Sequence, residues 1–187
     1  LLKRFFDFSS STSGIIIFLP LFAIISFAIK KDSPGPILFK QKRPGLNNEH
    51  FTIYKFRSMA VDTPNVETAK LGEGVSYITM TGKFIRKTSI DELPQLINVA
   101  KGEMSVVGPR PALYNQYDLI RMRTEAGVHK VKPGITGYAQ VMGRDEISDE
   151  EKVRFDKYYV DNQTFLFDMW VIWKTFKNVI SSEGVSH

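Results

Sequence analysis

The sequence predicts a mixed α/β, mostly helical single domain with an N-terminal re-entrant membrane hairpin and a small β-hairpin. Three features predict it. A charge-free stretch, Phe8 to Ile29, is bracketed by Lys3 and Arg4 on one side and Lys30 and Lys31 on the other, with Pro20 inside. Two runs rich in β-formers, Ile37 to Arg43 and Phe51 to Arg57, flank the turn-forming Gly45-Leu46-Asn47-Asn48. The rest alternates short helical patterns with turns marked by Gly and Pro. With 187 residues, 43% of them hydrophobic, one core of ordinary size is expected.

The membrane element comes first in the chain. Its strongly apolar part, Ile15 to Ile29, would span roughly 22 Å as a helix, whereas a bilayer core is about 30 Å thick. Pro20 removes a backbone hydrogen bond and favours a kink. Basic residues at both ends prefer the same, cytoplasmic, side. A helix–break–helix over residues 1–31, entering and leaving by one face, satisfies both constraints. A single span and a signal peptide are the plainer readings. The second is weakened because no small-residue cleavage site precedes Lys30.

Residues 32–187 form the expected cytoplasmic catalytic domain. Ser33-Pro34-Gly35-Pro36 ends the membrane segment, and the β-hairpin follows. Ala60 to Met80 reads as a long loop. Gly82 to Thr88 and Ile90 to Val99 read as short helices, Ser105 to Val107 as a buried strand and Leu113 to Gly127 as an Arg-rich helix. Ile135 to Val141 reads as a strand and Glu150 to Asp161 as a helix. Phe165 to Phe176 mixes aromatics with Asp168 and Lys174. It suits an interfacial amphipathic helix or a core helix equally well.

Composition removes several function classes. There is no cysteine, so neither a disulfide framework nor a thiolate metal site exists. His50, His129 and His187 are too few and too scattered for a histidine metal cluster. No Walker loop, dinucleotide glycine fingerprint, nucleophile-elbow serine or nucleic-acid motif is present, and nucleic acid is not an expected partner. The net charge of +5 suits an anionic surface or a phosphorylated substrate.

The chemistry centres on Ser89-Ile90-Asp91-Glu92-Leu93-Pro94. Ser89 and Glu92 have capping-box spacing, so two acids at a helix start have a purely structural explanation. The catalytic reading gives the acids separate jobs, because consecutive helical side chains diverge by about 100°. One acid would attack phosphorus and the other would help hold a hard cation such as Mg²⁺. The surroundings favour this reading. Arg86 lies upstream, Gly108-Pro109-Arg110-Pro111 fixes an Arg on a rigid turn, and Lys132-Pro133-Gly134-Ile135-Thr136-Gly137 does the same for a Lys. Arg144 follows Gly143. Such residues suit an anion site, since Gly permits close backbone approach and Arg grips phosphate through a bidentate fork.

In order along the chain, Lys3-Arg4-Phe5-Phe6-Asp7, Gln41 to Gly45, Tyr54 to Met59, Ser89 to Asn98, Lys101 to Ser105, Val107 to Pro111, Lys132 to Arg144 and Phe155 to Val160 resemble the bacterial sugar transferases, the small monotopic phosphoglycosyl transferases. The resemblance implies that Asp91 attacks the β-phosphate of a UDP-sugar, releases UMP and carries the phosphosugar as an acyl phosphate. A polyprenol phosphate then accepts it. Glu92 matches the partner acid, with Asp91 and Glu92 placed near Mg²⁺. Arg86, Arg110, Lys132 and Arg144 are expected to grip phosphates, and Lys55, Arg57, Thr136 and Asp156 are further substrate-binding candidates. The implied place is the cytoplasmic face of the bacterial inner membrane, with membrane lipids as partners; a homodimer is compatible with the pattern. One departure is that the family commonly has Ser-Pro at the helix break, where this chain has Leu19-Pro20. Two rival functions are a metal-dependent lipid diphosphate phosphohydrolase and a non-catalytic membrane-surface binding protein.

Overall fold

The structure is a computed structural model that describes residues 1–63, 77–143 and 147–181. Helix α1 (Leu2–Asp32) leads into strands β1 (Leu38–Pro44) and β2 (His50–Phe56), then helices α2 (Met80–Lys87) and α3 (Gln95–Lys101). Strand β3 (Ser105–Val107), helix α4 (Tyr117–Glu125) and strand β4 (Gly134–Thr136) follow. Helices α5 (Tyr138–Met142), α6 (Asp149–Asp161) and α7 (Phe165–Ser181) complete the chain. The expected β-hairpin is present: β1 and β2 pair antiparallel, with Leu38 opposite Phe56 and Pro44 opposite His50. A second sheet joins β3 to β4 in parallel, Ser105 opposite Gly134 and Val107 opposite Thr136.

Several expectations change in detail. The run Ile90 to Val99 is not one helix. Pro94 lacks an N–H, so a 3₁₀ turn at Ile90–Glu92 precedes α3, which starts only at Gln95. The strand expected to reach Val141 stops at Thr136, because Tyr138–Met142 turns helical as α5. Helix α4 is shorter than Leu113 to Gly127. Of the loop Ala60 to Met80, residues 64–76 lie outside the described residues; its ends meet where Ala60 N–H donates to Tyr77 O at 2.9 Å.

The expected helix–break–helix does not appear. Helix α1 is a single helix with Pro20 inside, long and apolar enough to cross a membrane. It meets the body at both ends. Asp7 is buried and its Oδ1 accepts from Ser105 Oγ at 3.0 Å and Val106 N at 2.9 Å. Arg4 donates to Val99 O and Ala100 O, closing the C-terminus of α3. Further along, Ile25 and Ile29 pack with Phe56 and Ile85. Each such buried aliphatic side chain contributes about 1.5–3 kcal/mol. Between these contacts Ile16 to Pro20 are all exposed. Five successive exposed residues exceed one turn of about 3.6 residues, so every side of α1 is bare there.

Two other cores position the site. Val107, Val141, Tyr159 and Val171 pack the second sheet against α5, α6 and α7. Ile53, Val99 and Met104 join the hairpin to α3. Asn98 reinforces that joint: its Oδ1 accepts from Tyr54 N at 3.1 Å and its Nδ2 donates to Thr52 O at 2.7 Å. A buried side-chain amide thus satisfies backbone groups of β2 as a neighbouring strand would.

Candidate active site

The site grows from a strained turn. Helix α2 ends at Lys87, and Ser89 then adopts φ 55°, ψ 15°, the left-handed region. A non-glycine residue held there costs on the order of 1 kcal/mol or more and persists only when its surroundings demand it. Ser89 makes no side-chain cap, so the capping-box explanation of the two acids does not hold. Ile90 packs into the core with Ile85. That contact pins the 3₁₀ turn, in which successive side chains diverge by about 120°. Asp91 and Glu92 therefore enter different surroundings.

Glu92 is clamped. Lys55 Nζ, from β2, lies 2.6 Å from its Oε1. Arg110 Nη2 lies 2.8 Å from the same oxygen and Nη1 lies 3.3 Å from Oε2. Burial works against Glu92's charge, but Arg110 and Lys55 prevail and hold its carboxyl far below the usual carboxylate range. Lys55 is itself pushed down by burial, with Glu92's charge in partial compensation. Asp91 behaves oppositely. Burial, then the charge of Glu92, pushes its carboxyl up to about 6, against the pull of Lys55, Arg86 and Arg110. Two adjacent acids thus have separated proton affinities, a pattern typical of acids with distinct roles.

The structure brings Asp91, Glu92, Lys55, Arg110 and, through its charge, Arg86 together. Other candidates are engaged elsewhere. Arg57 is 4% exposed and donates to Ser33 O, Pro34 O and Ser33 Oγ, fastening the exit of α1. Thr136 Oγ1 bonds Thr175 Oγ1 at 2.7 Å and ties β4 to α7. Asp156 is 1% exposed and its Oδ2 accepts from Arg123 Nε at 2.9 Å and Nη2 at 2.6 Å. Lys132 reaches Gly102 beside Arg4; a carbon added at Gly102 would lie 3.5 Å from its Nζ. Arg144 lies outside the described residues. Arg43 and Arg123, absent from the sequence-derived site, hold the Arg110 turn by its carbonyls. Their only sequence signal is membership of Arg-containing blocks, which does not say where a guanidinium points.

The donor set suits Mg²⁺ in one specific way. Mg²⁺ is commonly held by one or two carboxylates plus substrate phosphate oxygens. Among the described residues no group of three or more His, Asp or Glu converges for a metal. Asp91 offers one such carboxylate, whereas Glu92 Oε1 already accepts from Lys55 and Arg110.

Known proteins share this sequence pattern. The family model for bacterial sugar transferases matches residues 1–182. The uncharacterized sugar transferase EpsL of Bacillus subtilis is 46% identical over 99% of this chain and 90% of its own length. The UDP-glucose:undecaprenyl-phosphate glucose-1-phosphate transferase of Escherichia coli is 38% identical over 97% of this chain and 41% of its own. The UDP-N-acetylgalactosamine-undecaprenyl-phosphate N-acetylgalactosaminephosphotransferase of Aeromonas hydrophila is 37% identical over 98% of this chain and 44% of its own. This chain therefore spans less than half the length of those two transferases. The model match and these identities together make the chain a member of the bacterial sugar transferase family.

Proposed function

We propose that the chain is a phosphoglycosyl transferase that moves a sugar-1-phosphate from a UDP-sugar to polyprenol phosphate, an early membrane step of glycoconjugate assembly. The observation that carries this reading is the split pair. Asp91 is buried, close to three cations and ionised above about pH 6, while Glu92 is locked in an ion-pair cluster. An Asp91 carboxylate oxygen attacks the β-phosphorus of the donor. The bond from that phosphorus to the bridging oxygen breaks, and UMP leaves with the bond's electron pair. The sugar phosphate stays on Asp91 as an acyl phosphate. An oxygen of the polyprenol phosphate then attacks the same phosphorus, which frees the carboxylate and yields polyprenol diphosphate sugar. Lys55, Arg86 and Arg110 stabilise the charge that gathers on phosphate oxygens. Asp91, with Glu92 beside it, would hold Mg²⁺ together with diphosphate oxygens; when bound, the ion would offset diphosphate charge.

The same reading places the chain at the cytoplasmic face of the inner membrane. Its support is the bare segment Ile16 to Pro20 of the long apolar helix α1, a surface that suits lipid. Helix α7 leaves Leu166, Trp170, Trp173 and Phe176 exposed, a surface that suits the interface.

The test is intact mass of the purified protein mixed with Mg²⁺ and a panel of UDP-sugars, without lipid acceptor. A phosphosugar adduct on the wild type, absent from Asp91→Asn and discharged by polyprenol phosphate, is expected. Continued UMP release without lipid would instead make the protein a phosphohydrolase. No adduct and no UMP release across the panel would leave the membrane-surface binding reading.

A further inference from the structure

The turn Pro109-Arg110-Pro111 presents Arg110 to Glu92, yet it has little means of anchoring itself. Both prolines lack an N–H, so Arg110 supplies the tripeptide's only backbone donor. The turn must be held by its carbonyls, and all three are taken. Pro109 O accepts from Gly134 N at 3.0 Å. Arg110 O accepts from Arg123 Nη1 at 2.8 Å. Pro111 O accepts from Arg43 Nη1 at 3.0 Å. Two guanidinium groups, from β1 and α4, thus grip successive carbonyls of the segment that carries Arg110.

The grip of Arg123 is itself oriented. Its Nε and Nη2 both donate to Asp156 Oδ2, and that carboxylate, on α6, is 1% exposed. Arg123 is a side chain only 12% exposed, so its planar fork has no freedom to swing away. The line runs from α6 through Asp156 and Arg123 to the Arg110 carbonyl, and from the Arg110 guanidinium to Glu92 beside Asp91.

We infer that Arg123, oriented by Asp156, is a positioning residue that sets Arg110 against Glu92, with Arg43 as a second clamp on the same turn. Arg43 and Arg123 act on the backbone of the turn, and Asp156 acts through Arg123. This rests on the transferase reading, since Arg110 matters to the rate only if the site around Asp91 reacts with a diphosphate.

The experiment is a mutant cycle on the full chain in lipid nanodiscs, read as UMP release with a responsive UDP-sugar and polyprenol phosphate. Arg123→Gln is expected to lower kcat about 10- to 100-fold, as lost support of a reacting group typically does. In an Arg110→Gln background the same change is expected to cost no more than about twofold, because both variants lose one function. Losses that multiply, or an Arg123→Gln enzyme as fast as the wild type, would overturn the inference. Arg123→Gln leaves Asp156 buried without its partner and risks misfolding. The cycle is therefore repeated with Arg123→Leu combined with Asp156→Leu, which removes both charges together. The same two outcomes decide it. A wild type that releases no UMP would sink the transferase reading and not this one. Amide hydrogen exchange then decides: at Gly134, whose N–H donates to Pro109 O, it is expected to quicken at least about tenfold in the paired Leu variant, with protected amides away from the turn unchanged. Unchanged exchange there would overturn the inference.

Discussion

Two lysine–carboxylate clusters in this molecule look alike on paper and differ in what they leave open. In one, Lys3 Nζ lies 2.6 Å from Asp168 Oδ2 and also donates to Val107 O. Asp168 Oδ1 accepts from the Tyr159 hydroxyl at 2.6 Å. Burial, with Asp168 beside it, pushes that phenol up, so it remains a neutral donor. Lys3 faces Asp168, the charge of Asp7 also acts on the phenol, and the cluster locks α1 to α6 and α7. In the other, Lys55, Arg86 and Arg110 surround Asp91 and Glu92, three cations against two acids. The first cluster closes its charge within the fold. The second keeps a positive excess and one carboxylate with a raised proton affinity, the condition for receiving an anionic substrate.

The sharpest way to break this contrast is Asp91→Asn. It is expected to lower transfer by about 10³-fold or more, read as UMP release, because the proposed nucleophile is gone. The next pair of variants tests the two lysines directly. Lys3→Met leaves Asp168 buried without a cation and is expected to cost about 2–3 kcal/mol in urea unfolding. Lys55→Met leaves Glu92 its Arg110 partner and is expected to cost less stability. Because Lys55 pulls Asp91's proton affinity down, its loss moves the acid limb of the pH–rate profile upward from about 6. Equal stability losses, with no movement of that limb, would erase the distinction.

A smaller effect concerns pH and stability in metal-free protein. Asp91's affinity rises from 3.8 to about 6 on folding, so the folded state binds the extra proton between those values. Stability should then fall by about 3 kcal/mol as pH rises through that window, and Asp91→Asn should abolish the fall. Glu92 shifts the other way, so its contribution is lost only in stronger acid. Smallest of all, Ser89→Gly relieves the left-handed conformation and should stabilise the protein by at most about 1 kcal/mol. A destabilised Gly variant in thermal melts would show that the turn is not strained.

Local patterns were readable where the cause is local. The runs rich in β-formers on either side of Gly45-Leu46-Asn47-Asn48 announced β1 and β2, and the Ser148 cap with Glu151 starts α6 close to its expected place. The acids Asp91 and Glu92 and the cations Lys55, Arg86 and Arg110 stood out as residue types in phosphate-like company. Three other candidates, Arg57, Thr136 and Asp156, had the same polar character. Their partners Ser33, Thr175 and Arg123 lie 24, 39 and 33 residues away, so no local pattern could reveal that their polar groups are already engaged. Pro20 shows the limit in another way. A proline favours a kink, but whether the chain breaks depends on what each flank packs against, and both flanks of α1 dock on the body.

By itself the sequence determined most of the element types, the candidate acids and the family, because these depend on residue chemistry and short-range order along the chain. Only the tertiary structure decided that neighbouring Asp91 and Glu92 hold protons so differently, and that Arg110 is held by Arg43 and Arg123. Proton affinity depends on burial and on charges within a few ångströms, and a carbonyl accepts from whichever donor the fold brings to it. Both are set by distances between residues that the linear order leaves far apart.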